Sequence, residues 1–154
     1  MKLNINNLIN ISSQRSKIVD FQDLDHIDGV SISAVSAGLY KVKRDEIVLF
    51  YFREGANYAS LYTQSKLISE NIKWNKKINA KKVYALLINT RNANALTGSE
   101  GFEALKKISI DLSSKLTNIQ KRDEDNPKKI SPKEILFGCT GTIGEKFPLE
   151  KIKF

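Results

Sequence analysis

Apolar residues recur along this chain with two periods, and the switch from one to the other marks out its elements. From Gly29 to Gly38 apolar and small polar residues alternate, which predicts a strand with one buried face. After a charged turn at 41–46, Ile47 to Phe52 is apolar throughout and rich in aromatic and β-branched residues. That composition predicts a central strand covered on both faces. A turn at 53–57, a short strand from Ala59 to Thr63 and a helix carrying Leu67, Ile68, Ile72 and Trp74 follow. Val83 to Ile88 is a second uniformly apolar run, and it feeds a loop, Asn89 to Gly98, that holds three asparagines. Phe102, Leu105, Ile108, Leu112, Leu116 and Ile119 then recur at steps of three and four, predicting a long amphipathic helix. Thr97 and Glu100 stand at capping-box spacing at its start. A charged linker at 121–133, with Asn126-Pro127 and Ser131-Pro132, leads to a last strand from Glu134 to Cys139. Strands interleaved with helices predict an α/β fold, with one domain over 29–154 behind an N-terminal extension at 1–28.

Two loops leave the ends of apolar strands, where open α/β sheets tend to place ligand sites. In the second, Thr140-Gly141, a backbone N–H and a threonine hydroxyl can both turn outward and hold the charge of a tetrahedral acyl-transfer intermediate. The glycine lets the backbone approach a ligand closely. A plain strand-ending turn is the other reading of these residues. For the asparagine loop the two readings are a self-satisfied, capped turn and a polar pocket beside a helix N-terminus that favours a carboxylate.

Composition narrows the class of protein. The chain has 154 residues, 41% of them hydrophobic, enough for one core, and no apolar run approaches the roughly 18 residues that span a bilayer. A soluble protein without a membrane partner is expected. Its formal charge of +8 comes from 20 lysines and 5 arginines against 17 acids. No segment combines arginines with interleaved aromatics, so a solvated lysine surface is expected and a nucleic-acid partner is not. Cys139 is the sole cysteine and His26 the sole histidine, which rules out an internal disulfide and a Cys/His zinc cluster. No metal and no bound cofactor are expected, and a reducing compartment fits. Cys139 reads as a buried strand-end thiol, because nothing near it or His26 resembles a nucleophile–base pair. Met1 to Val19 lacks acids and carries serines near Arg15 and Lys17, a pattern shared with transit peptides. With one arginine and no long apolar stretch, it is read as an ordinary cytoplasmic N-terminus.

The segment Asn89-Thr-Arg-Asn-Ala-Asn-Ala-Leu-Thr-Gly98 is similar to the Asn-Ser-Gly-Asn-Ala-Asn-Ala-Cys-Thr-Gly segment of the ornithine acetyltransferase (glutamate N-acetyltransferase) family. Cys139-Thr-Gly-Thr-Ile-Gly144, with Pro148 and Lys151-Ile152 after it, resembles that family's Ser-Thr-Gly-Val-Ile-Gly segment. Order and spacing agree, and the likeness runs from about Gly29 to Ile152. The resemblance implies mixed sheet layers flanked by helices. It implies a precursor that cuts itself into an α chain and a β chain whose N-terminal threonine is the nucleophile, with its own α-amino group as base. That threonine takes acetyl from N-acetylornithine and passes it to glutamate by a ping-pong route in arginine biosynthesis; acetyl-CoA is a further co-substrate of some members. Carried over, Thr140 and Gly141 form the oxyanion hole, Asn92, Asn94 and Arg91 are candidate substrate-binding residues, and the assembly is an αβ pair that dimerises to (αβ)₂.

The sequence departs from that pattern at three places. Phe154 precedes the α-chain tail in which the family has substrate-contacting threonines and the cleavage point, so this chain is expected to be the partial α side and to be inactive alone. Arg91 stands where the family has glycine, and either binds a substrate carboxylate or blocks the pocket. Leu96 stands in place of cysteine. Glu100 and Glu103 read as first-turn helix acids favoured by the dipole, with no catalytic role. A non-catalytic scaffold or regulatory relative is the alternative function, and a basic polyanion-binding module is a third.

Overall fold

A computed structural model gives the fold and describes residues 25–152. Most of the N-terminal extension, including the segment read for targeting, lies outside these residues. Four strands form one sheet in the order β1-β2-β3-β4: β1 Val30–Val35, β2 Ile47–Ala56, β3 Val83–Asn89 and β4 Ile135–Cys139. β1 pairs antiparallel with β2, and β2 antiparallel with β3. β3 and β4 are parallel, as a strand–helix–strand crossover requires. The short helix α1, Glu70–Lys76, precedes β3, and the long helix α2, Gly98–Asp123, carries the crossover from β3 to β4. The α/β class expected from the alternation of periods is the fold observed.

Residues of opposite parity define the two faces of the sheet. Leu49, Leu87 and Phe137 lie side by side on one, with Ile47, Ala85 and Ile135 in the same layer. Against this face α2 lays the stripe Leu105, Ile108, Leu112 and Leu116, each no more than 2% exposed. Phe147 and Ile152, from the segment after β4, close the same core. The other face carries Ile32, Val48, Phe50, Phe52, Leu86, Ile88 and Leu136, none of them buried. Among the described residues both helices pack on the first face. β2 is therefore central but covered on one face, not two. β1 is an edge strand, with Ile32 and Val35 exposed on opposite faces, so the single buried face read from its alternation is not formed here.

The other sheet edge is covered by side chains acting as backbone. Trp74 Nε1 on α1 donates to the Ile135 carbonyl at 2.9 Å. Asn75 donates from Nδ2 to the Phe137 carbonyl and accepts at Oδ1 from the Phe137 N–H, at 2.9 and 3.0 Å. One asparagine thus occupies both edge groups of Phe137, as a neighbouring strand would, and keeps β4 from pairing with another chain. Trp74 also stacks edge-on against Phe137, with ring centroids 5.7 Å apart.

Four local expectations are corrected. Ala59 to Thr63 forms no strand, and Leu61 and Leu67 stand fully or largely in solvent. The turn expected at 53–57 is the end of β2, whose register with β3 shifts between Tyr51 and Ala56 around Gly55 at φ +72°. α2 runs to Asp123, into the expected linker, and Thr97 makes no side-chain cap at its start. The capping box lies instead at Ser131 and Glu134, at the short 3₁₀ turn before β4.

Leu105 sits at the centre of the helix stripe with no exposure. Leu105→Ala is expected to cost about 2–5 kcal/mol, read as a lower urea midpoint with an unchanged m-value.

Candidate functional site

The C-terminal ends of β3 and β4, the end of β1 and the start of β2 all open at one end of the sheet. Three loops meet there: 36–46, 90–97 and 140–146. The parallel pairing of β3 with β4 does not stop at the strand ends. Thr140 N donates to the Asn89 carbonyl at 3.0 Å, Thr142 N to the Arg91 carbonyl at 2.9 Å, and Ala93 N to the Thr142 carbonyl at 3.0 Å. Gly144 N then reaches the Ala95 carbonyl at 2.8 Å. The two loops are zipped together by their backbones.

That zipper decides which donors are spent and which are left. Alternate N–H groups along a strand face opposite edges, so with Thr140 and Thr142 donating toward the asparagine loop, Gly141 between them is left on the other edge. Among the described residues the Gly141 N–H and the Thr140 hydroxyl have no hydrogen-bond partner, and both residues are exposed. Gly141 adopts φ +133°, and a Cβ there would lie 2.2 Å from the Arg91 carbonyl carbon. No other residue fits. The Thr140-Gly141 pair singled out in the sequence is therefore an exposed corner with two unspent donors.

The asparagines are committed elsewhere. Asn89 Nδ2 donates to the Asn92 carbonyl at 2.9 Å, and Asn92 Oδ1 accepts the Asn94 N–H at 2.8 Å. Asn92 Nδ2 donates to the carbonyls of Glu145 and Lys146, at 2.9 and 3.2 Å. Asn94, with no exposure and φ +48°, donates to the Gly101 carbonyl at 3.1 Å and accepts the Thr97 hydroxyl at 2.7 Å. Its own carbonyl takes the Glu70 N–H of α1 at 2.8 Å. Of the two readings of this loop, the geometry is that of the self-satisfied turn. Buried amides satisfied in this way fix backbone that has no helix or sheet to hold it.

Arg91 stands at φ +78°, a conformation that favours glycine. Its Nη1 donates to Thr142 Oγ1 at 2.8 Å and to Glu145, and its Nη2 to Glu145 Oε1 at 2.9 Å. The Glu145 carboxylate raises the guanidinium still further above its ordinary range, first by hydrogen bonding and then by charge. Glu100 and Glu103 are exposed, near Lys146 and Lys106 respectively. Cys139 is a free thiol, and burial pushes its pKa up to about 12, so it is not a thiolate at neutral pH. Among the described residues no three His, Cys, Asp or Glu side chains gather to hold a metal, and no helix is long and apolar enough to cross a membrane.

Three contributors were not singled out in the sequence. Glu46, 1% exposed, accepts the Ala37 and Tyr40 N–H groups at 2.7 and 2.9 Å and anchors the loop after β1. Its carbonyl takes the Thr90 N–H at 2.9 Å, tying that loop to the end of β3. Glu145 meets Arg91 across 54 residues, a pairing with no local signal. Gly101 had one: a glycine inside a strong helical pattern marks a close approach. A Cβ at Gly101 would lie 2.2 Å from both Asn94 Oδ1 and Thr97 Oγ1.

The model of the ArgJ family matches residues 31–154. The arginine biosynthesis bifunctional protein ArgJ of Zymomonas mobilis is 31% identical over 129 residues, covering 83% of this chain and 29% of that protein. Its counterpart in Gluconobacter oxydans is 32% identical over 131 residues, covering 84% and 28%. This chain spans under a third of the length of these relatives. Among solved structures, the arginine biosynthesis bifunctional protein ArgJ of Bacillus halodurans matches with TM-score 0.67 and 23% identity, over 81% of this chain and 60% of that one. Ornithine acetyltransferase of Mycobacterium tuberculosis, complexed with ornithine, matches with TM-score 0.69 and 21% identity, over 81% and 62%. At such identities the structures establish the shared fold.

Gly101→Ala would stabilise an ordinary helix, since alanine is favoured by roughly 1 kcal/mol. Here the contact with Asn94 and Thr97 reverses the sign, and a loss of about 1–3 kcal/mol is expected in chemical denaturation. Glu46 gives a pH test. Burial alone would raise its carboxyl, but the N–H groups of Tyr40, Leu39, Ala37 and Gly38 outweigh it and hold the pKa below the ordinary value. Its contribution is therefore complete above the unfolded-state pKa and lost as pH falls through the lower folded value. Melting temperatures of wild type and Glu46→Gln should differ at neutral pH and converge in acid.

Proposed function

Because the chain belongs to the ArgJ family, we propose that it forms the α-side portion of an acetyltransferase that moves acetyl from N-acetylornithine to glutamate in arginine biosynthesis. The observation that supports this is the exposed corner at the adjacent residues Thr140 and Gly141, whose hydroxyl and backbone N–H have no hydrogen-bond partner among the described residues. The attacking threonine is supplied by a β chain, with its α-amino group taking the hydroxyl proton. Attack on the acetyl carbonyl makes a tetrahedral oxyanion, which accepts from the Gly141 N–H and the Thr140 hydroxyl. Ornithine leaves with the proton, and the acetyl group stays as an ester on the threonine. The amine of glutamate then attacks that ester through the same corner, its proton passes by way of the α-amino group to the threonine oxygen as the ester bond breaks, and N-acetylglutamate departs. Neither half needs a metal or bound cofactor; acetyl-CoA can serve as an alternative donor.

The open sheet face supports a partner chain. Seven apolar side chains without a covering layer among the described residues form a surface of the kind a second polypeptide buries on assembly. An αβ pair that dimerises again follows by family analogy, in a cytoplasmic setting. The alternative, a non-catalytic relative, draws on Arg91, which places a paired cation on the loop beside the corner.

The test is acetyl exchange by this chain purified together with a partner that begins in threonine. Activity in the assembly, none in the isolated chain, and a kcat about 100-fold lower in Thr140→Ala are expected, the usual loss for one oxyanion donor. An assembled but silent wild type would favour the non-catalytic relative.

A further inference from the structure

Arg91 and Thr142 close a hydrogen-bonded ring beside the corner that carries Thr140 and Gly141. The Arg91 carbonyl accepts the Thr142 N–H at 2.9 Å, while its Nη1 donates to the Thr142 hydroxyl at 2.8 Å. The same guanidinium grips Glu145 with both of its terminal nitrogens. From the other side of the loop, Asn92 Nδ2 holds the Glu145 and Lys146 carbonyls. Gly141 lies directly against the Arg91–Asn92 peptide, so whatever fixes that peptide fixes the orientation of the Gly141 N–H. A side chain held at φ +78° persists only where its surroundings over-determine it.

We propose that Arg91, through Glu145 and Thr142, is a positioning residue that holds the Thr140–Gly141 corner in its donor-presenting form, and that it is not a ligand for a substrate carboxylate. The proposal rests on the acyl-transfer reading for its consequence in catalysis, but the clamp itself is a property of the isolated chain. Two facts favour the clamp over the ligand. The fork of the guanidinium that best matches a carboxylate is already filled by Glu145 in bidentate fashion. Both partners lie in the 140–146 loop just after Gly141, so the pair ties the stretch from Thr142 to Glu145 to the residue whose peptide Gly141 packs against. The pair is half-exposed, so its contribution to global stability is small and its effect is local.

Hydrogen exchange and kinetics test this separately. In the isolated chain, Glu145→Gln is expected to speed exchange of the Thr142 and Gly144 amides about tenfold through local opening, with the melting temperature nearly unchanged. Arg91→Gly, which suits the positive φ, should give the same pattern, and the double variant should exchange no faster than either single one. Unchanged exchange in both single variants overturns the clamp. In the assembly with the threonine-bearing chain, each variant should lower kcat about tenfold while KM for glutamate and for N-acetylornithine stays within about twofold. A rise in KM for one of these carboxylates at constant kcat, confined to Arg91→Gly, overturns the proposal in favour of a substrate ligand. Faster exchange alongside a silent wild-type assembly upholds the clamp and removes the acyl-transfer reading instead.

Discussion

The arrangement of this end of the molecule depends on the parallel pairing of β3 with β4 being carried past the strands into the loops. Four backbone hydrogen bonds, from Thr140, Thr142, Ala93 and Gly144, extend a ladder where the chain has no regular structure. Parallel pairs must be joined by a long crossover, and α2 supplies it; its apolar stripe anchors the helix on the sheet and fixes where the two strand ends meet. The core therefore sets the register, and the register sets which N–H groups face inward. The Gly141 N–H is left over because its neighbours on both sides are used.

Holding a loop in this way requires partners for its buried polar groups, and the loop after β3 supplies them with asparagine. Asn89, Asn92 and Asn94 each offer a donor and an acceptor on a short stem, and asparagine tolerates left-handed backbone better than most residues. Asn94 uses that tolerance directly, linking the loop to α1 through Glu70 and to α2 through Gly101. Asn75 applies the same chemistry at the β4 edge. Glu46 does for the loop after β1 what the asparagines do for theirs, at the greater desolvation cost of a buried carboxylate, which backbone N–H groups offset.

Periodicity made the elements legible, and spacing made the corner legible. The six apolar positions of α2 and the uniform runs of β2 and β3 were unmistakable because core burial imposes them. Thr140 and Gly141 stood out because only a special backbone needs that pairing at a strand end. What periodicity could not carry was the number of covered faces. A uniformly apolar strand such as β2 reads as buried on both sides, whereas here the layer that would cover the second face is not among the described residues. The strand expected at 59–63 is not formed: a strand needs a partner strand to pair with, and among the described residues none lies beside it. Long-range pairs such as Arg91 with Glu145, and Trp74 with the Ile135 carbonyl, have no sequence signal, because topology alone brings them together.

The pairing of Arg91 also bears on what kind of electrostatic site this corner can be. A free guanidinium beside an oxyanion position would attract any substrate carboxylate in the ground state, and attraction felt equally before and during reaction does not accelerate it. With Glu145 holding the guanidinium, the net charge beside the corner is close to cancelled, and what remains is a dipole fixed by the backbone, the Gly141 N–H, beside a threonine hydroxyl that can turn toward an acceptor. Dipoles held by a backbone zipper need no reorganisation when charge appears on an oxygen next to them, and they gain most at the moment that charge develops. On the reading proposed above, glycine at this loop position leaves the zipper alone to hold the corner, whereas arginine adds a neutralised strap. The substitution then alters rigidity at the site more than its charge.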